Sequence, residues 1–273
     1  DDHTRFKFVY FLRRKSDAPK RIRKFIAAFN SKANLHTTSP VRVVGTLHTD
    51  NAGEFLSKEF TDLLDESSVA QTTCPPHVHQ LNGVAERAIR STLTLARSYL
   101  VSSHVPVTEW PFAFEMAIDV LNRTSGPVGA DTNSPTSYEL LTGEAPRVLG
   151  IMPFGCRAFV VKPPSQFSKT EIDPRAWIGY NLGRSPRSPG AYNVRCPSTG
   201  RVHVAADVYF MESYFPYRPK GDRIDEVAPP LPVRPAPDDS QPPGVPGVAA
   251  ADAGVTSPIT GEARTTNPGL PGC

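Results

Sequence analysis

Residues 41–55 read VRVVGTLHTDNAGEF, and 35 residues separate Asp50 in this stretch from Glu86 in NGVAERAIRSTLTLARSYL (82–100). The first stretch is a short β-branched run followed by turn-forming residues. It predicts a strand over Val41–Leu47 with Asp50 at its C-terminal end. The second predicts a helix over Asn82–Val101. Its apolar stripe would be Ala85, Ile89, Leu93, Ala96 and Leu100, and Glu86, Arg90 and Arg97 would share a different face. A lone Asp at a strand end is usually a cap or turn residue, and a lone Glu on a helix is usually solvated. Their spacing and surroundings are what single these two out.

Working outward, Arg5–Leu12 (RFKFVYFL) alternates aromatic and other residues as a strand does. Ser16 reads as an N-cap, and Ile22, Phe25, Ile26 and Phe29 mark an amphipathic helix over Asp17–Asn30. Ser57–Glu66 is a further helix and Val69–Thr73 a strand. Thr108–Asn122 is a helix expected to pack through Trp110, Phe114, Ile118 and Leu121, and Ser134-Pro135 opens a last short helix over Thr136–Thr142. From Cys156 onward only short strand-like runs remain: Arg157–Val161, Ala176–Tyr180, Tyr192–Arg195 and Val202–Phe210. Pro, Gly and Ser turns separate them, as in a small antiparallel sheet or barrel. The fold class is therefore α/β followed by a β-rich unit, with a boundary near 145–155.

Composition bounds the folded part. The chain has 29 Pro, and 12 of them fall in Pro219–Cys273, a segment with no aromatic residue. Such a segment cannot bury enough apolar surface to offset its ordering entropy, so a disordered tail is expected from 218 to 273. Net charge is only +3. The basic residues cluster, however, at Arg13, Arg14, Lys15, Lys20, Arg21, Arg23 and Lys24, and again at Arg87, Arg90 and Arg97. Such surfaces attract phosphate backbones, although a solvated helix face would look the same. The four cysteines are far apart, without CxxC or paired Cys/His spacing. That speaks against a disulfide framework or a zinc site and suits a reducing compartment. No apolar run approaches the roughly 20 residues of a membrane span. The chain opens at Asp1-Asp2 without Met, as a fragment or processed product would.

Taken together, the motifs resemble those of one family. HTDNAGEF (48–55) resembles the segment around the second catalytic aspartate of retroviral and copia-type integrases. HQLNGVAERAIRSTLTLARSYL (79–100) resembles the segment around the catalytic glutamate, and the spacer of 35 residues matches that family's DDE pattern. NRTS (122–125), TSYELLTGEAPRVLGIMPFGCRAFV (136–160), AWIGY (176–180) and STGRVHVAADVYF (198–210) resemble the copia-type extension beyond the core.

The resemblance implies a ribonuclease H-like integrase core over 1–145 that lacks its first strands. A β-rich copia-type domain over 146–217 and a Pro/Gly-rich tail over 218–273 follow. It implies DNA integration, meaning metal-dependent 3′-processing and strand transfer on element ends and target DNA. Asp50 and Glu86 would be catalytic carboxylates holding Mg²⁺ or Mn²⁺, and the complete protein would be a homo-oligomer in the nucleus or a cytoplasmic particle. Asn82, Arg87, Arg90 and Arg97 are candidate nucleic-acid contacts.

Departures from the family pattern are also visible. The family's first catalytic aspartate lies upstream of the segment matching DDHTRFKFVYFL, so neither Asp1 nor Asp2 is assigned to the triad. The family's N-terminal zinc domain has no counterpart. Ala52, His79 and Leu81 stand where Gly, Pro and Gln are usual. Lacking the core's first strands, the isolated chain is expected to be marginally stable, and with two of three carboxylates it is not expected to join DNA. Two alternatives stand beside integration: a catalytically inert remnant that only binds nucleic acid, and a ribonuclease H-like nuclease.

Overall fold

The structure is a computed structural model, and it describes residues 1–33, 43–73, 83–124, 126, 134–163, 172 and 174–219. The expected tail and Asn82 lie outside the described residues. The elements are α1 (Ala18–Ala33), β1 (Thr46–Thr49), α2 (Lys58–Glu66), β2 (Ala70–Thr73), α3 (Gly83–Ser103), α4 (Trp110–Thr124), α5 (Ser137–Thr142), β3 (Arg157–Val161), β4 (Ala176–Arg184), β5 (Tyr192–Arg195), β6 (Val202–Ala205) and β7 (Val208–Met211). Packing separates two compact units. Among the described residues, one contains those of Asp1–Thr92 and Leu121–Pro146, the other those of Leu93–Val120 and 147–219. The α/β class with a β-rich second unit is therefore present. The units are not collinear with the sequence, because Leu93–Val120 groups with the strands.

In the first unit β1 and β2 form a parallel pair, with Leu47 opposite Gln71 and Thr49 opposite Thr73. Parallel strands need a crossover, and α2 supplies it. Ser57 caps α2 by accepting a hydrogen bond from the Phe60 amide at 3.3 Å, which satisfies one of the helix's orphan donors. Ile26, Phe60, Leu63, Leu64 and Val69 form the buried core. The expected strand over Arg5–Leu12 is not formed. Its alternation is real, since Phe6, Phe8 and Tyr10 face one way, with Phe8 5.0 Å from Phe25 and Tyr10 6.0 Å from the same ring. Among the described residues no strand pairs with it, and an extended segment without a ladder is not a strand. Instead the Asn122 side chain takes both backbone groups of Lys7, accepting from its N–H and donating to its C=O at 2.9 Å each. Ser16 does not cap α1 either. A short 3₁₀ turn over Lys15–Asp17 precedes the helix, and the Asp17 carboxylate accepts from the Arg14 amide at 3.2 Å.

In the second unit the sheet order is β6-β5-β4-β3-β7, all antiparallel. The expected run Val202–Phe210 is thus two strands on opposite edges. A span of three positions from Ala205 to Val208 reaches at most about 10–11 Å, whereas four inter-strand gaps of about 4.8 Å would set the edges of a flat sheet about 19 Å apart. The sheet must curl on itself, as a small barrel does. β4 runs four residues beyond the expected Tyr180. The register shifts between Asn181 and Arg184, where Gly183 has φ +97°, a backbone that favours glycine. Ala158, Val160, Val194, Val208 and Phe210 fill the interior.

Glu109, 4% exposed, is ion-paired with Arg195 and accepts a hydrogen bond from the Tyr180 hydroxyl at 3.3 Å. Trp110, expected inside, is 49% exposed, whereas Ile118 is buried and Phe114 packs on the core as expected, beside Ala113, Met116 and Ala117. Cys156 is a free buried thiol whose pKa burial pushes up. Cys196 is buried, with its sulfur 3.2 Å from the Ser198 hydroxyl. No helix among the described residues is long and apolar enough to cross a membrane.

Candidate functional site

Asp50 directly follows β1. Along that strand Leu47 is half-buried and Thr49 buried, while Thr46 and His48 are exposed. The two-residue period therefore directs Asp50, like His48, away from the core. Asp50 is exposed, and its Oδ1 accepts a hydrogen bond from the Ala52 amide at 3.3 Å, an Asx turn of the kind expected for a plain turn residue. That bond leaves most of the carboxylate's lone pairs uncommitted to the turn. A 3₁₀ turn over Gly53–Phe55 then returns the chain to the core, where the Phe55 ring sits 5.3 Å from Phe60.

Two side chains of β2 reach across to this strand end. His48 Nδ1 lies 2.9 Å from Thr72 Oγ1 on the outer face. On the inner face Gln71 Nε2 donates to Thr49 Oγ1 at 3.0 Å and to the Phe55 carbonyl at 2.9 Å. The five residues between Thr49 and Phe55 thus form a loop whose two ends are tied by one amide group.

Glu86 lies in the first turn of α3 and is exposed. A carboxylate there is favoured by the helix dipole whatever else it does. At 100° per residue Arg90 and Arg97 fall within about 40° of Glu86, and Arg87 about 100° away. All three arginines are exposed. The expected apolar stripe of α3 is only partly buried. Ala96 is buried, but Ile89 and Leu93 are 55% and 45% exposed, and the buried line instead includes Thr92 and Ser103.

The same architecture, a short parallel α/β piece and a curled antiparallel sheet, can be set beside known proteins. Residues 156–223 match the retroviral polymerase SH3-like domain model, which spans β3–β7. The chain is 31% identical over 219 residues to the retrovirus-related Pol polyprotein from transposon RE2 of Arabidopsis thaliana, covering 80% of this chain and 14% of that protein. It is 29% identical over 220 residues to the Pol polyprotein from transposon TNT 1-94 of Nicotiana tabacum, covering 78% of this chain and 15% of that one. The chain is similar to part of retrotransposon Pol polyproteins. It spans about a seventh of the length of these Pol relatives. Among solved structures, the HTLV-2 integrase catalytic core domain in complex with magnesium overlaps with a TM-score of 0.32 and 20% identity, covering 46% of this chain and 70% of that one.

Within this chain the donor set can be tested for a metal. Asp50 and Glu86 offer exposed carboxylate oxygens, which suit a hard divalent cation. Among the described residues no three His, Cys, Asp or Glu gather as a ready-made cage, so these two carboxylates offer suitable donor chemistry without forming a metal site by themselves. Gln71 and Asn122 were not anticipated from the sequence. Neither carries a local pattern, because their partners lie 16, 22 and 115 positions away.

Proposed function

We propose that this chain forms part of the integrase of a retrotransposon polyprotein and contributes to metal-dependent strand transfer and 3′-end processing of DNA. In this reading the first unit belongs to a ribonuclease H-like core, and Asp50 and Glu86 come within reach of one shared Mg²⁺ or Mn²⁺. The observation that carries the proposal is the pair itself. One carboxylate follows a parallel strand on a loop tied at both ends, and the other lies in the first turn of the longest helix, each exposed and at the spacing of a catalytic pair.

Two divalent ions, when bound, polarise the scissile phosphate and favour both the attacking and the leaving oxygen. The protein's part is positioning. Asp50 and Glu86 hold carboxylate oxygens toward the metal site, and Arg87, Arg90 and Arg97 offer guanidinium groups to the phosphate backbone. DNA ends and target DNA are the proposed partners, the assembled form is a homo-oligomer, and the site of action is inside the cell.

The test is strand transfer by the complete integrase segment of the polyprotein with Mg²⁺, compared with its Asp50→Asn and Glu86→Gln variants. Each substitution is expected to lower the rate by more than about 10²–10³, the usual effect of losing one electrostatic stabiliser of a transition state, while DNA affinity is retained. Full activity in either variant refutes the assignment of that carboxylate. DNA binding without joining by the wild type favours the reading as an inert binder.

A further inference from the structure

We infer that Gln71 is a positioning residue for Asp50, acting through the loop on which Asp50 sits; this rests on the reading of Asp50 as a metal ligand. The primary amide of Gln71 has two N–H donors on one nitrogen, and both are used. One goes to the Thr49 hydroxyl at 3.0 Å, the other to the Phe55 carbonyl at 2.9 Å. Thr49 is buried and immediately precedes Asp50, and Phe55 closes the 3₁₀ turn that follows it. Gln71 is half-buried and lies opposite Leu47 in the parallel register, so its side chain reaches two residues along β1 toward the strand end.

Other contacts act on the loop as well: the Ser57 hydroxyl donates to the Glu54 carbonyl at 3.1 Å, and the Phe55 ring packs 5.3 Å from Phe60. The Asp50 side chain accepts from Ala52, and the Phe55 and Leu56 amides close short turns at 2.9 and 3.3 Å. Gln71 adds a restraint of a different kind, because one amide group ties both the beginning and the end of the loop to a neighbouring strand. A carboxylate that must meet a cation at about 2.0–2.1 Å cannot tolerate a wandering backbone, and residues that orient metal ligands commonly change affinity about 10–100-fold when removed. No other standard side chain of this length puts two hydrogens on one nitrogen without carrying charge. Leucine has the shape without the bonds, and asparagine is one methylene short.

The experiment uses the 273-residue chain with Mn²⁺ alone as probe. Bound Mn²⁺ is measured by electron paramagnetic resonance, amide hydrogen exchange over residues 50–56 by mass spectrometry, and thermal midpoint by circular dichroism. The variants are Gln71→Leu, Thr49→Val and Asp50→Asn. Gln71→Leu is expected to weaken Mn²⁺ binding about tenfold and to speed exchange over 50–56, with exchange in α2 unchanged. Thr49→Val, which removes one of the two acceptors, is expected to give a smaller change in the same direction. Unchanged affinity and unchanged exchange in both overturn the inference. If Gln71→Leu lowers the midpoint so far that the fold is lost, Thr49→Val decides alone. If Asp50→Asn binds Mn²⁺ as well as wild type, the metal reading of Asp50 fails. The exchange data then still decide whether Gln71 fixes the loop.

Discussion

Replacing Glu115 with glutamine should remove the loss of stability with rising pH that this side chain contributes to the second unit. Glu115 is on α4, 7% exposed, and its Oε2 has no hydrogen-bond partner among the described residues. Burial pushes its carboxyl up from 4.5 to about 7, with Arg187 opposing the shift. The sign follows from proton counting. Between these two pH values the folded chain holds a proton that the unfolded chain has released, so unfolding free energy falls as pH rises through the window. The contribution is fully present below about pH 4.5 and gone above about pH 7. At 1.36 kcal/mol per pH decade the total is about 3 kcal/mol. Glutamine cannot ionise, so the variant lacks this slope, although its buried amide costs about 1–3 kcal/mol at any pH if left unpaired. Thermal unfolding of both proteins from pH 5 to pH 8 should show the wild type losing ground to the variant by several degrees. Midpoints that run parallel across the range refute the argument, since a solvated carboxylate would give that result.

Three further outcomes can be checked. Arg195→Met should cost about 3–5 kcal/mol in denaturant unfolding, because it strands buried Glu109. Adding Glu109→Gln should recover most of that loss, and an additive double variant would speak against the pair. Asn122→Ala, which removes both bonds to the Lys7 backbone, should cost about 2–4 kcal/mol; a loss under about 1 kcal/mol would mean the segment is held by its aromatic packing alone. Replacing Arg87, Arg90 and Arg97 together with alanine should flatten the dependence of log DNA affinity on log salt by up to about 2–3 for duplex DNA, with little change in sequence preference, and an unchanged slope removes these side chains from the interface.

What could be read from the sequence divides along a physical line. α2, α5 and β3 were legible within a residue and α1 within three, because their signals are local: a cap such as Ser57, a 3.6-residue period, a run of alternating residues between turns. The placement of Asp50 at a strand end and of Glu86 at a helix start was legible for the same reason. The failures begin where the answer depends on a distant partner. On α3 apolar residues cover more than half the circumference, so periodicity cannot choose a face. The buried side includes Thr92 and Ser103, whose hydroxyls each return to a carbonyl four residues back at 2.7 Å. A hydroxyl satisfied within its own helix can be buried at little cost, and its small size permits close packing. Sequence pattern scores it as polar and turns it outward. Arg5–Leu12 shows the reverse error: its alternation marks which side chains face α1, but a strand exists only through a ladder. Gln71 combines both difficulties. Its side chain reads as an ordinary polar residue on a short strand, and its importance comes from two acceptors brought beside it by the parallel register of β1 and β2. The proposed ligand was thus recognisable by type and spacing, whereas the residue that holds its loop became visible only once the strands were paired.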